Sequence, residues 1–331
     1  MREGSHNLAP ISPANRLGID YRAVPRRKSA APIVDVHTHI HAGPQVQPFR
    51  AAAAAYGIAK FFSMTPLPQA DAVRETFGEQ VEFIAIPNWK AFARTEEFRR
   101  DWIADLASFR EQGARLCKFW MAPKMRKEHG LTVHHEFVKP VVWEAFELGY
   151  DFMIHVGDPS VWWRAGGPYA DTAVFGTKDE QYAQLEWLLE SVAPRLVIAA
   201  HMGGSVEEPD RLERLLDAFP NLMLDCSATK WMVREVSRRP DDVRSFLLRR
   251  ADRVLFGSDL VVSEKFTTFD HYASRYWAHL HLWETAHSGE SPIEDPDAEQ
   301  PPRLRGCDLP ANVLEAMYAG NAARLGLVEP V

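Results

Sequence analysis

The stretch PIVDVHTHIHAG, residues 32–43, decides how the chain is read. An apolar run enters it and is broken by His37, Thr38, His39 and His41. Side chains alternate along a strand, so His37 and His39 share a face, and by the same parity so does Asp35. Two imidazoles at i and i+2 form a bidentate bite for a divalent metal. Imidazole suits Zn, Fe and Ni, and works for Mn and Co. One such pair also arises in loops and cores, so the rest of the chain has to supply partners for it.

The partners stand at the ends of other apolar runs. Candidate strands follow at 57–64, 81–89, 114–123, 151–159, 195–204, 221–229 and 253–262. Between them lie segments such as TEEFRRDWIADLASFREQG and VEEPDRLERLLDAF, apolar at helical spacing and charged elsewhere. Eight strands alternating with helices predict a parallel α/β fold, and eight is the number that closes a (β/α)8 TIM barrel. Near-continuous apolar strands fit a sheet covered on both faces. The run FMIH ends in His155, LVIAAH in His201 and VLFGSD in Asp259. In a barrel all strands open their C-terminal ends on one face, so these residues converge with His37 and His39. A lone strand histidine is usually a satisfied core residue, and an Asp after Gly-Ser is often a helix cap. Core packing does not explain why all of them fall at the same end of four strands.

Composition bounds the alternatives. The 331 residues are 46% hydrophobic and 25% charged, an ordinary globular balance with ample length for a large core. A net charge of −7 argues against nucleic-acid binding, which needs a basic surface. No apolar run reaches the roughly 20 residues of a membrane span. Residues 1–31 read as a polar arm without the apolar core of a signal peptide, and residues 32–331 as a single barrel domain. Cys117, Cys226 and Cys307 are scattered and odd in number, which suggests reduced thiols and a cytoplasmic location. Two connections are longer than packing requires, one after the fifth strand and one after the eighth. The latter begins as an aromatic helix and ends in a Pro-rich acidic loop. Long βα loops on a barrel usually build or cover the active site.

The motifs VDVHTHIH, IHVG, AHMGG and LFGSD, with the closing YAGNAARLGL, resemble a known group. They are similar to the metal-dependent amidohydrolase superfamily, in the amidohydrolase 2 branch grouped with aminocarboxymuconate-semialdehyde decarboxylase, over roughly residues 32–327. The resemblance implies a barrel with a metal held by His37, His39, His155 and Asp259, and a catalytic role for His201. It also implies, by family analogy, a homodimer. Zinc is the first expectation, with Mn, Fe, Co or Ni as alternatives. A bound divalent cation can bring the pKa of water to about 7. Asp259 can then serve as ligand and general base, while His201 orients substrate or, protonated, donates to a leaving group.

Lys118, in ARLCKFW on the fourth strand, departs from the pattern. Decarboxylases of the branch do not as a group carry lysine there, whereas two-metal hydrolases of the wider superfamily often carry a carboxylated one. One metal per chain is expected, or two if Lys118 is carboxylated; Lys118 is therefore a third catalytic candidate beside His201 and Asp259.

Trp89, Trp120, Trp162, Trp163, Arg164 and Lys230 follow the strands and are expected to contact a small-molecule substrate. Aromatic walls and a cation suit a planar or cyclic organic acid. His134 and His135 are adjacent and diverge, so they read as surface or lid residues. His279 and His281 fall on a helical pattern, where i and i+2 do not share a face. The expected activity is hydrolysis of a small cyclic amide, lactone or ester. The alternative is nonoxidative decarboxylation of an aromatic or muconate-type acid. A third reading, a catalytically silent ligand-binding barrel, is disfavoured because every metal and acid–base position is filled.

Overall fold

The apolar runs become the parallel strands β1 (Ile33–Ile40), β2 (Ile58–Ser63), β3 (Val81–Ala85), β4 (Leu116–Trp120), β5 (Asp151–His155), β6 (Val197–Ala199) and β7 (Leu222–Asp225). The eighth strand position is split into β8 (Val254–Leu255) and β9 (Leu260–Val262). The structure, a computed structural model, describes residues 12–295, 297 and 300–329. Strands pair in the order β8-β7-β6-β5-β4-β3-β2-β1-β9, so the two pieces of the eighth strand close the sheet on itself. Across the break, the Val36 amide donates to the Phe256 carbonyl at 3.0 Å and the Asp259 amide to the His37 carbonyl at 2.7 Å. This is the expected (β/α)8 barrel.

Two apolar layers follow from strand alternation. Val34, Val36, Phe62, Ile84, Leu116, Met153, Ile198, Met223 and Leu255 form the smaller cluster inside the barrel. Residues of opposite parity, among them Phe61, Phe83, Phe119 and Phe152, join the larger cluster under the helices. The helix Glu96–Glu111 shows how that layer is built. Thr95 caps it by accepting from the Phe98 amide, and Phe98, Trp102, Leu106 and Phe109 recur at helical spacing as its buried face. The end of the barrel opposite the site is plugged from within by Ala319, Ala322 and Leu327 of the closing segment. Asn321 fastens that plug, donating to the carbonyls of Ala251 at 2.7 Å and Val254 at 2.8 Å.

One departure from simple alternation positions the site. Asp35 pairs with Phe61 and Thr38 with Ser63, so β1 spends three steps where β2 spends two. This bulge inserts one residue, and side-chain parity changes across it. Asp35 therefore does not share the face of His37 and His39, as plain alternation predicts. Its carboxylate instead accepts from the Ser258 amide at 2.9 Å, the Ser258 hydroxyl at 2.6 Å and the Tyr276 hydroxyl at 3.2 Å. It ties β1 to the eighth strand and to the helix Phe269–Glu284 outside the barrel. Burial pushes its pKa up to about 7 against the lowering effect of the Ser258 bonds.

The long connections are structured. The one after β5 contains two short helical turns, Ser160–Trp163 and Thr172–Phe175. It is held by the Tyr169 hydroxyl donating to Asp158 at 2.9 Å. The one after β9 forms the expected aromatic helix and then an antiparallel pair, Ser288–Glu290 with Arg303–Arg305, where the composition suggested only a loop. Of the N-terminal arm, residues 1–11 lie outside the described residues. The rest packs on the same helix through buried Tyr21 and an Arg27–Glu284 ion pair at 2.9 Å. All three cysteines are free and buried. Among the described residues no helix is long and apolar enough to cross a membrane.

Candidate metal centre

His37, His39, Lys118, Trp89, Trp120, His155, His201 and Asp259 all line one cavity of about 550 Å³ at the C-terminal ends of the strands. The convergence expected from sequence is therefore present. His39 Nε2 lies 3.1 Å from Asp259 Oδ1, and His37 Nε2 lies 3.3 Å from the same oxygen. Ligands about 2.1 Å from a tetrahedral ion stand about 3.4 Å apart, so these two separations match those in the ligand shell of a divalent cation. Burial opposes ionisation of Asp259, yet the two imidazoles outweigh it and hold its carboxyl well below the usual range.

Local backbone strain presents these groups. Asp259 has φ 56° and His201 φ 60°, and Ala228 after β7 has φ 72°. Left-handed conformations at non-glycine residues persist only where the surroundings enforce them, and they gather at functional sites. Gly257 makes the turn before Asp259 possible. A Cβ there would lie 3.0 Å from His37 Cβ and 3.1 Å from Ser227 Cβ.

Beneath the donors lies a network that the sequence reading did not single out. Asp225, the last residue of β7, is fully buried and accepts from His37 Nδ1 at 2.8 Å and from the His201 amide at 2.9 Å. Ser227 donates its hydroxyl proton to the other oxygen of Asp225. Its oxygen is then an acceptor for His201 Nδ1 at 2.7 Å. These bonds put a proton on Nδ1 of both rings and turn Nε2 of each toward the cavity; burial and Lys118 oppose a second proton on His37, but Asp225 and Asp259 outweigh them and raise its pKa. Burial opposes the charge of Asp225 too, but the facing His37 holds it ionised, well below the usual carboxylate range. Burial, with His155 and His37 nearby, pulls the His201 imidazole well below its ordinary value, so it is neutral. His37, His201 and Asp225 form a second group whose ligand atoms lie within 4.8 Å of one another. The signal that could have found this layer is LMLDCS, where Asp225 and Ser227 share the inward parity of Met223.

Lys118 is buried, with Nζ 3.3 Å from His37 Nε2. Burial brings its pKa down to about 8, partly offset by Asp225 and Asp259. The inward position expected for it is correct. His155 is also at the cavity, its ring 4.5 Å from that of His201, but its Nε2 pairs with Asp158 Oδ1 at 3.1 Å rather than joining the His37–His39–Asp259 group.

The expected substrate contacts divide. Trp89 and Trp120 form the cavity wall with Phe92, their rings meeting edge-on at 6.0 Å. Trp162, Trp163 and Arg164 are not among its lining residues. The β5 loop folds back on itself, Trp163 donates to the Gly176 carbonyl, and Arg164 is exposed. Lys230 lines a neighbouring cavity that shares Asp259 and Val261 with the first. His134 is exposed and His135 half-buried, bonded to Arg94, as surface residues should be. His279 is buried in its helix, between Thr229 and Trp283, away from the centre.

No curated protein matches the sequence. Solved structures share the fold. A 2,6-dihydroxybenzoate decarboxylase from Rhizobium superposes with TM-score 0.52 at 14% identity, covering 91% of this chain and 100% of the other. A dihydroxybenzoic acid decarboxylase from Polaromonas, with bound manganese, gives 0.51 at 13% identity over 91% and 98%. A probable 2-pyrone-4,6-dicarboxylic acid hydrolase from Acinetobacter baumannii gives 0.50 at 11% identity over 89% and 99%. The sequence model described as Amidohydrolase matches residues 34–325, nearly the whole barrel, and the chain belongs to that family.

Proposed function

We propose that the chain is a metal-dependent hydrolase of a small cyclic ester, lactone or amide derived from an organic acid. The observation that carries this reading is the hydrogen-bond pattern at the cavity. Two imidazoles engaged at Nδ1 turn Nε2 toward it, His201 is neutral, and an ionised Asp259 stands beside them. Such a site is rich in proton acceptors, which water activation needs, and its ammonium, Lys118, is engaged at 3.3 Å with His37 Nε2.

His37, His39 and Asp259 would hold the cation, with His155 as the further ligand implied by the family resemblance. When bound, the cation supplies Lewis acidity, bringing the pKa of water toward neutrality and polarising a carbonyl. Asp259 accepts the proton of the attacking water and returns it to the departing alkoxide or amine as the C–O or C–N bond breaks. His201 Nε2 accepts the second O–H of that water and so aims it. Lys118 supplies positive charge for a substrate oxygen, which favours a single metal with an unmodified lysine. Zinc and manganese both suit this nitrogen and oxygen set; the bound manganese of the Polaromonas decarboxylase supports testing manganese beside zinc.

The test is a product assay with metal-reconstituted protein on cyclic esters, lactones, amides and hydroxybenzoates. Ring opening without carbon dioxide is expected, and carbon dioxide release would replace this reading by the decarboxylase. His201→Asn should lower kcat by about 10²–10⁴-fold while retaining the metal. Loss of metal in step with activity would make His201 a ligand instead.

A further inference from the structure

Beside the metal centre lies a cavity of about 280 Å³ whose lining includes Lys230, Trp231, Phe266, His271 and Arg275. Asp259 and Val261 line both cavities, so the two adjoin at a metal-binding residue. Arg275 is the unusual member. It projects from the helix Phe269–Glu284, and its Nη1 donates to the His271 carbonyl at 2.6 Å and to the Ser274 hydroxyl at 3.3 Å. Both partners are neutral, and among the described residues no carboxylate comes within 4.0 Å of its guanidinium. Two other withdrawn arginines, by contrast, have an acid: Arg27 has Glu284 and Arg234 has Asp295.

A guanidinium withdrawn from water without a counter-charge is costly, and arginine is rarely buried unpaired. Burial brings the pKa of Arg275 down to about 10, which leaves it cationic at neutral pH. Lys230, exposed at the start of the helix Thr229–Arg238, adds a second cation at the same cavity. His271 is neutral there, since burial and these two cations pull its pKa down to about 3. Its ring lies flat on Phe266, with centroids 3.9 Å apart and planes 9° apart, and makes an aromatic wall. Glu294 is exposed and lines the outer continuation of the cavity.

We propose that Arg275 and Lys230 receive an oxyanion, a carboxylate or a phosphate, carried by the substrate at the end remote from the group that reacts at the metal centre. The substrate is then two-headed. An acyl group sits at His37, His39 and Asp259, and an anionic group on a flat body extends past Val261 along the Phe266–His271 wall. A planar guanidinium takes either oxyanion through paired N–H donors. The proposal rests on the hydrolase reading for the identity of the first head, but the anion site itself does not require metal.

That independence sets the experiment. Benzoate and phenyl phosphate are titrated calorimetrically into the metal-stripped full chain, with wild type, R275M, R275K and K230E compared. Saturable binding is expected, tighter for whichever oxyanion the site takes. R275M should weaken it by about tenfold or more, as loss of charged hydrogen bonds does. R275K keeps the charge but not the fork and should fall between. If R275M does not fold, K230E carries the test, because a carboxylate beside Arg275 competes with the ligand and should also weaken binding about tenfold. Equal binding by wild type, R275M and K230E, or no saturable binding of either anion, overturns the proposal. Failure of metal-dependent hydrolysis with this binding intact would instead count against the hydrolase reading alone.

Discussion

The two sides of the main cavity are built on different principles. The side formed by β1, β6, β7 and the eighth strand is polar and wired, with buried Asp225 and Ser227 holding His37 and His201, and His39 meeting Asp259. The side formed after β3 and β4 is aromatic and packed: Trp89 stacks on Phe92 at 5.7 Å, and Phe92 meets His129 at 4.2 Å. On the first side each group is fixed by specific hydrogen bonds, so a single atom change alters charge and proton position. On the second, contact area matters and direction does less. The comparison teaches that chemistry and recognition are separable here by wall, and substitutions can test that separation.

The largest effect should come from the donors. His37→Ala or Asp259→Ala removes one of three donor groups whose ligand atoms lie within 4.8 Å of one another. Metal content measured after reconstitution should fall to a small fraction, with activity lost in parallel. Full occupancy and normal turnover in both variants would remove the metal centre from the polar wall.

Asp225→Asn comes next and sharpens the role of the layer beneath. The amide is nearly isosteric but presents N–H₂ where one carboxylate oxygen was. The His37 Nδ1 proton can then lose its acceptor, the Ser227 hydroxyl that receives the His201 proton can reorient, and the rings can turn. Groups that orient a metal-ligating histidine are typically worth about 10–100-fold in metal affinity or activity. Metal affinity by competition with a chelator should weaken within that range while the fold, read by circular dichroism, persists. An unchanged affinity would show that the tautomer is set elsewhere.

How much of this was legible in the sequence differs by wall. The barrel was readable because each strand ends an apolar run and each helix keeps its period. His37, His39, His155, His201 and Asp259 were readable because a polar residue closing such a run has nowhere to go but the open end of the barrel. Asp35 was misplaced because a bulge is a matter of pairing with β2, which no single strand encodes. Asp225 and Ser227 were passed over because their meaning depends on two histidines from other strands, 188 and 26 residues away. The loop residues Trp162, Trp163 and Arg164 illustrate the opposite failure. Loop aromatics can turn toward a cavity or back onto their own loop, and Tyr169 and Gly176 decide that here. Arg275 gave no signal because helical position alone does not reveal a missing counter-charge.

The smallest effect belongs to the aromatic wall. Trp120 ends β4, pairs in register with His155, and shares the inward parity of Lys118 while remaining half-buried. Among the described residues it makes no hydrogen bond to the Asp225 network, and its ring meets that of Trp89. Trp120→Leu keeps an apolar side chain at the position but removes a broad ring face. Aromatic pairs are worth about 0.5–1.5 kcal/mol beyond area burial, a factor of about 2–12 in affinity. A contact made equally in ground and transition states changes KM and leaves kcat. Steady-state kinetics should therefore show KM raised by up to about tenfold, with kcat within about threefold and metal content unchanged. If kcat falls while KM holds, the wall acts in the reaction itself, and the division between a reactive and a recognising side of the cavity fails.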